Sequence, residues 1–177
     1  MNRLPIVLAC LALGLSLAAC GDDDEQSASA PKETATAAPE AGTIDASAIS
    51  KDLTAKPSIP QPSGSPPAQL QKEDVVKGKG RAARAGDMVS VQYVGNSWST
   101  GKQFDASWDR GAEPFTFPLG AGQVIPGWDR GVAGMRKGGR RLLIIPPDLA
   151  YGAQSPTPDI APNETLIFVV DLKKIGS

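Results

Sequence analysis

The chain has 177 residues, 18 basic and 19 acidic, and a formal net charge of −1. That balance gives no reason to expect a nucleic-acid partner. There is no histidine, and the two cysteines, Cys10 and Cys20, both lie near the N-terminus. Ser-His-Asp, Cys-His and the usual zinc chemistries are therefore excluded from everything after Cys20, and neither a metal nor a cofactor is expected.

Arg3 supplies a positive charge, and Leu4 to Leu17 is an apolar run of fourteen residues. A bilayer span needs about 20 residues. A charged start, a short apolar stretch and small residues before a cut describe a secretory signal over residues 1–19. Leu17-Ala18-Ala19-Cys20 resembles the bacterial lipobox, in which cleavage precedes a lipidated cysteine. The resemblance implies lipidation of Cys20, such as palmitate, and an extracytoplasmic protein held on the cell membrane. Cys10 would leave with the signal and Cys20 would carry lipid, so no thiol remains for a disulfide.

Residues 20–65 read as the lipidated cysteine and a disordered, flexible tether. Gly21-Asp22-Asp23-Asp24-Glu25 opens it, and Ala, Ser, Thr and Pro dominate afterwards. With three basic and eight acidic residues between 21 and 65, and no aromatic, it lacks the apolar surface to offset the entropy of ordering. Ile44, Ala48, Ile49 and Leu53 have the spacing of a helical turn or two within a segment otherwise read as extended. No heptads run through the tail, so a monomer is expected.

Residues 66–177 suffice for one compact domain. Leu70 to Val76 reads as a weak strand. Val89, Val91 and Tyr93 alternate with Ser90 and Gln92, and Phe115-Thr116-Phe117 alternates likewise, both half-buried strand signals. Pro126 to Met135 is the one convincing helix, with proline at its start and glycines after its end. Gly131 and Gly134 each weaken it by about 1 kcal/mol relative to alanine, so packing must hold it. Arg136-Lys137-Gly138-Gly139-Arg140-Arg141 reads as a solvated basic turn, leading into a strand from Arg140 to Ile145 that Pro146-Pro147 ends. Leu166 to Leu172 is a strong strand, apolar on both faces over most of its length. No long crossover helices separate the strands, so the sheet should be antiparallel, in an α+β domain of five to six strands wrapped over one short helix.

All nine aromatic residues lie between Tyr93 and Phe168. They form one core, or a core with an aromatic-lined hollow. Gly120-Ala121-Gly122 is followed by Ile125, so the dinucleotide pattern fails, and no phosphate loop is present. What remains is a binding pocket, or a catalyst that needs neither nucleophile nor metal. Prolyl isomerisation is such a reaction: its barrier of about 18–20 kcal/mol comes from amide resonance. Twisting removes the resonance and makes the group less polar, so an apolar pocket favours the twisted state.

Tyr93, Lys102-Gln103-Phe104-Asp105-Ala106-Ser107, Arg110, Phe115-Thr116-Phe117, Val124-Ile125-Pro126-Gly127-Trp128, Ala150-Tyr151-Gly152 and Phe168 stand in the order of the FKBP peptidyl-prolyl isomerases. The resemblance covers about residues 68–177. It implies a pocket with Trp128 as floor and Tyr93, Phe104, Phe115, Val124, Ile125 and Phe168 as walls. The Ile125 N–H and the Tyr151 hydroxyl look like donors to substrate carbonyls, Asp105 like the carboxylate facing the imide, and Arg110 like its ionic partner. In the loop Gln154–Pro162, where the family often has a histidine and two branched aliphatics, Pro156 and Asp159 depart from the pattern and Ile160 stays apolar. The expected function is isomerisation of proline-containing polypeptides during folding of exported proteins, with macrolides as possible inhibitors. The alternatives are a non-catalytic binding module or chaperone with the same pocket, and a structural spacer with none.

Overall fold

The computed structural model describes residues 42–176. The signal segment, Cys20 and the acidic cluster that follows it lie outside the described residues. In chain order come β1 (Gln71–Val76), β2 (Lys79–Ala82), β3 (Met88–Ser97), β4 (Gln103–Ala106), β5 (Phe115–Pro118), helix α1 (Pro126–Val132), β6 (Arg136–Lys137), β7 (Gly139–Ile145) and β8 (Leu166–Ile175). Six strands form one antiparallel sheet in the order β1-β7-β8-β3-β4, with β5 also paired to β3. β2 and β6 form a separate two-stranded ribbon. This is the expected α+β architecture, with six strands.

Alternation along the strands builds the main core. Val89, Val91 and Tyr93 on β3, Leu143 and Ile145 on β7, and Leu166, Phe168, Val170 and Leu172 on β8 gather around Trp128, Val132 and Met135. α1 ends at Val132, earlier than the sequence suggests, because Gly134 takes a left-handed φ of 84° that stops the helix. Gly131 has a positive use. A Cβ there would stand 2.7 Å from Leu143 Cδ1, and one at Gly127 would collide with Ile145. The glycines that weaken the helix locally are what let it lie flat on the sheet and place Trp128 beneath the hollow.

Residues 42–65 depart from the expectation of a tether that runs to residue 65. They form a strap on the opposite face of the sheet. Ile44, Ala46 and Ile49 are buried against Trp98, Leu142, Ile144, Ile167 and Val169 in a second core. Asp45 caps the short 3-10 turn Ala46–Ala48 by accepting from the Ser47 N–H at 2.9 Å. The physical reason lies in β7 and β8, whose outward residues are apolar and need cover. Three well-placed apolar side chains supply it, despite the polar composition around them.

The basic cluster at 136–141 also differs from the expected solvated turn. Of its four basic residues only Arg136 and Lys137 are exposed, on the β2–β6 ribbon. Arg140 and Arg141 lie on β7, point to opposite faces and are buried. Arg140 makes a two-point ion pair with Asp171, 2.5 and 2.7 Å, directly across the β7–β8 ladder, and donates to the strap carbonyls of Ser50 and Ala55. Arg141 pairs with Asp74 at 2.6 Å and donates to the carbonyls of Gly131 and Ala133 at the end of α1. Burial is tolerable because each guanidinium meets a carboxylate and two backbone carbonyls.

Candidate active site

The site is assembled where β3, β4, β5, β8 and the N-terminus of α1 converge. Tyr93, Phe104, Asp105, Phe115, Gly122, Gln123, Val124, Ile125, Trp128, Tyr151 and Phe168 line a hollow of about 450 Å³, within the usual range for small-ligand sites. Another concavity of about 400 Å³ lies between the strap and β1. Its lining, Thr43, Ile44, Gln71, Lys72, Glu73, Leu142 and Ile144, brings no aromatic ring, so the aromatic hollow is the one of the two suited to an apolar ring.

Edge-to-face packing fixes the walls. Tyr93 meets Trp128 at 5.0 Å between centroids and 84°, and Phe168 meets Trp128 at 5.2 Å and 89°. Phe104 stands against Phe168 at 5.5 Å, and Phe115 stacks on Phe117 at 5.5 Å. Such pairs add about 0.5–1.5 kcal/mol each beyond burial, so the rings hold their places without a ligand. Trp128 is 4 % exposed and forms the floor, whereas Phe115 at 41 % and Tyr151 at 39 % stand free at the rim. The Trp128 Nε1–H is buried with no acceptor among the described residues.

The approach to α1 presents the backbone. Asp129 accepts from the N–H groups of Gly120 at 2.8 Å and Gly122 at 3.0 Å, both glycines with positive φ. This ties the turn before Gln123 to the helix. The Ile125 carbonyl accepts from the Trp128 N–H at 2.9 Å, which closes the first helical turn. The Ile125 N–H lies before that turn, has no acceptor among the described residues and borders the hollow.

One polar cluster breaks the apolar lining. The Tyr93 hydroxyl donates to Asp105 Oδ2 at 2.5 Å, Arg110 Nη1 donates to Asp105 Oδ1, and Arg110 Nη2 donates to the Tyr93 hydroxyl at 2.7 Å. Arg110 also lies 5.8 Å from the Tyr93 ring centre. Burial, reinforced by the hydrogen bond to Asp105, pushes the Tyr93 phenol up to about 12. Burial first, and then the charge of Asp105, raises the Tyr151 phenol as well. Both hydroxyls thus keep their protons and remain donors at neutral pH.

The expected site residues come together with two exceptions. Arg110 stands behind Asp105 and Tyr93 instead of lining the hollow. Ile160 is buried in the main core, because the turn closed by its N–H on the Thr157 carbonyl aims it inward, so it is not a wall. Sequence reasoning missed Gly122 and Gln123 in the lining and Asp129 as the anchor of their turn. The Gly-x-Gly spacing, with an acid just inside the helix, was the available signal.

An antiparallel sheet over one short helix, with an aromatic hollow, one carboxylate and free donors at its rim, defines a pocket protein for apolar rings that works by shape and hydrogen bonding. The model of the FKBP-type peptidyl-prolyl cis-trans isomerases matches residues 79–173, and the chain belongs to that family. It is 58% identical over 118 residues to an FK506-binding protein of Streptomyces anulatus, covering 66% of this chain and 94% of that one. A probable FK506-binding protein of Corynebacterium glutamicum is 44% identical over 117 residues, 66% and 96% of the two chains. Among solved structures, FkpA from Escherichia coli aligns with a TM-score of 0.54 and 45% identity over 60% of this chain, and the match spans about half (48%) of FkpA. AtFKBP13 aligns with a TM-score of 0.54 and 39% identity, over 61% and 94% of the two chains. The protein is a peptidyl-prolyl cis-trans isomerase.

Proposed function

We propose that this isomerase works on exported polypeptides from a lipid anchor at Cys20, and that the hollow over Trp128 is where the proline ring sits. The observation that carries the site assignment is the convergence of the Asp105 carboxylate, the Tyr151 hydroxyl and the Ile125 N–H on one aromatic hollow. A proline ring against Trp128, Tyr93 and Phe168 is held while the preceding residue rotates. Ile125 and Tyr151 donate to substrate carbonyls and keep the chain from turning as a whole. The planar imide carries more charge separation than the twisted one. Apolar walls disfavour the planar form, and the Asp105 carboxylate, facing the imide oxygen, repels its partial negative charge most strongly in that form. Both effects lower the barrier without a covalent step.

The lipobox-like Leu17-Ala18-Ala19-Cys20 supports the anchor, and the polar composition up to the strap supports a spacer between lipid and domain. With the strap packed from residue 42, about 21 residues remain between Cys20 and the domain, a coil reach of roughly 25 Å. The domain acts as a monomer. The names of its relatives support binding of FK506-type macrolides in the same hollow. Two experiments test this reading. Tyr151→Phe should lower kcat in a protease-free peptide assay with the circular dichroism spectrum unchanged; an undiminished kcat removes the hydroxyl from the mechanism. Cys20→Ser should release the protein from the membrane fraction; retention there contradicts the anchor.

A further inference from the structure

Gln92 is the buried polar residue on β3 next to Tyr93, 4 % exposed. Its carboxamide is used at both ends. Ser107, 1 % exposed, donates its hydroxyl proton to Gln92 Oε1 at 2.6 Å, and Gln92 Nε2 donates to the Ala112 carbonyl. The Ser107 oxygen also accepts from the Tyr93 N–H at 2.9 Å. Only a side chain that both accepts and donates fits between these partners: ionised glutamate lacks the donor, and methionine lacks the donor and offers only a weakly accepting sulfur.

Ser107 and Ala112 bracket the loop that carries Arg110. The loop begins with the 3-10 turn Ser107–Asp109, which the Arg110 N–H closes on the Ser107 carbonyl at 3.1 Å. It then runs through two consecutive left-handed residues, Gly111 with φ 75° and Ala112 with φ 55°. A non-glycine residue in that region is held by its surroundings, and here the hold is Gln92 on the Ala112 carbonyl. From this loop Arg110 reaches back to Asp105 and the Tyr93 hydroxyl. On the outer side, Lys56 of the strap and Gln103 donate to Asp109 at 2.6 and 2.7 Å. Those contacts are solvent-exposed and correspondingly weak, so the buried carboxamide is the fixed point.

We infer that Gln92, acting through Ser107 and the Ala112 carbonyl, is a positioning residue of the isomerase site: it sets the loop from which Arg110 orients Asp105 and Tyr93. The inference rests on the assignment of Asp105 and its partner to the active site.

The test is a double-mutant cycle in the full-length chain, reading kcat and KM on a Xaa-Pro peptide. Gln92→Met should lower kcat about tenfold, in the range that small misplacements of a catalytic group produce, with KM within about twofold of wild type. Ser107→Ala should do the same and serves alone if Gln92→Met does not fold. Adding Arg110→Ala to either should cost less than about a further twofold, because the path through Arg110 is already broken. Undiminished kcat in Gln92→Met and Ser107→Ala, while Arg110→Ala is impaired, overturns the role of Gln92 alone. Independent effects that multiply in the double variants also overturn it, since a merely structural defect behaves that way. An unimpaired Arg110→Ala enzyme overturns the role of Arg110 in the site, and this inference with it.

Discussion

Removing one strap anchor should destabilise the domain without touching catalysis. Ile49 is 1 % exposed and packs in the second core with Leu142, Ile144, Ile167 and Val169, on the face of the sheet opposite Trp128. Ile→Ala in a core costs about 2–5 kcal/mol, depending on how far the surroundings collapse. The strap lies at the surface and can relax inward, so the lower part applies, about 2–3 kcal/mol. With a urea slope of about 1–3 kcal/mol/M, the unfolding midpoint should fall by roughly 0.7–3 M. Tryptophan fluorescence in urea reads the midpoint, and the peptide assay, run well below it, reads the rate. The rate should match wild type, because no wall of the hollow has moved. A midpoint shift under about 0.3 M would refute the packing of the strap. A lost rate in fully folded protein would refute the separation of the two faces.

The buried pair on β7 and β8 should show the asymmetry of buried charges. Arg140→Leu leaves Asp171 unpaired beneath the strap and should cost about 3–5 kcal/mol of unfolding free energy, and adding Asp171→Leu should recover a large part of it in the same urea measurement. Stability should also depend on alkaline pH. The folded Tyr93 phenol is raised to about 12 against an unfolded value near 10, so its contribution is complete below about 10 and is lost as pH rises through about 12. Unfolding midpoints between those pH values should fall more steeply in wild type than in Tyr93→Phe. In the exposed loop after Tyr151, Asp159→Ile should reduce any preference for Lys-flanked over Glu-flanked proline peptides, and an unchanged ratio removes Asp159 from substrate selection.

Much of the site was legible in the sequence because it is built from local runs. Val124-Ile125-Pro126-Gly127-Trp128 combines a wall, a backbone donor, a helix start and a floor in five consecutive residues. The main strands were legible from alternation. The strap was not: its apolar residues are few and sit in a polar, proline-containing stretch, so composition points to a tether. The signal lay elsewhere, in Leu166 to Leu172, whose two apolar faces demand cover on both sides of the sheet. Arg140 and Arg141 were misread for a related reason. The preceding glycines suggest a turn, and only the register of β7 shows that each guanidinium meets a carboxylate, Asp171 or Asp74. Ile160 shows the limit of position in a motif. It keeps an apolar residue, yet the turn of this proline-rich loop directs it into the core.

The central claim is that catalysis resides in the hollow over Trp128 with Asp105 at its edge. Cis-to-trans relaxation of a proline peptide, measured without protease for wild type and Asp105→Asn, tests it most directly. Loss of the charge should lower kcat/KM about tenfold or more, equivalent to about 1.4 kcal/mol of barrier, with the circular dichroism spectrum and urea midpoint near wild type. A rate within twofold of wild type in the folded variant would contradict the account.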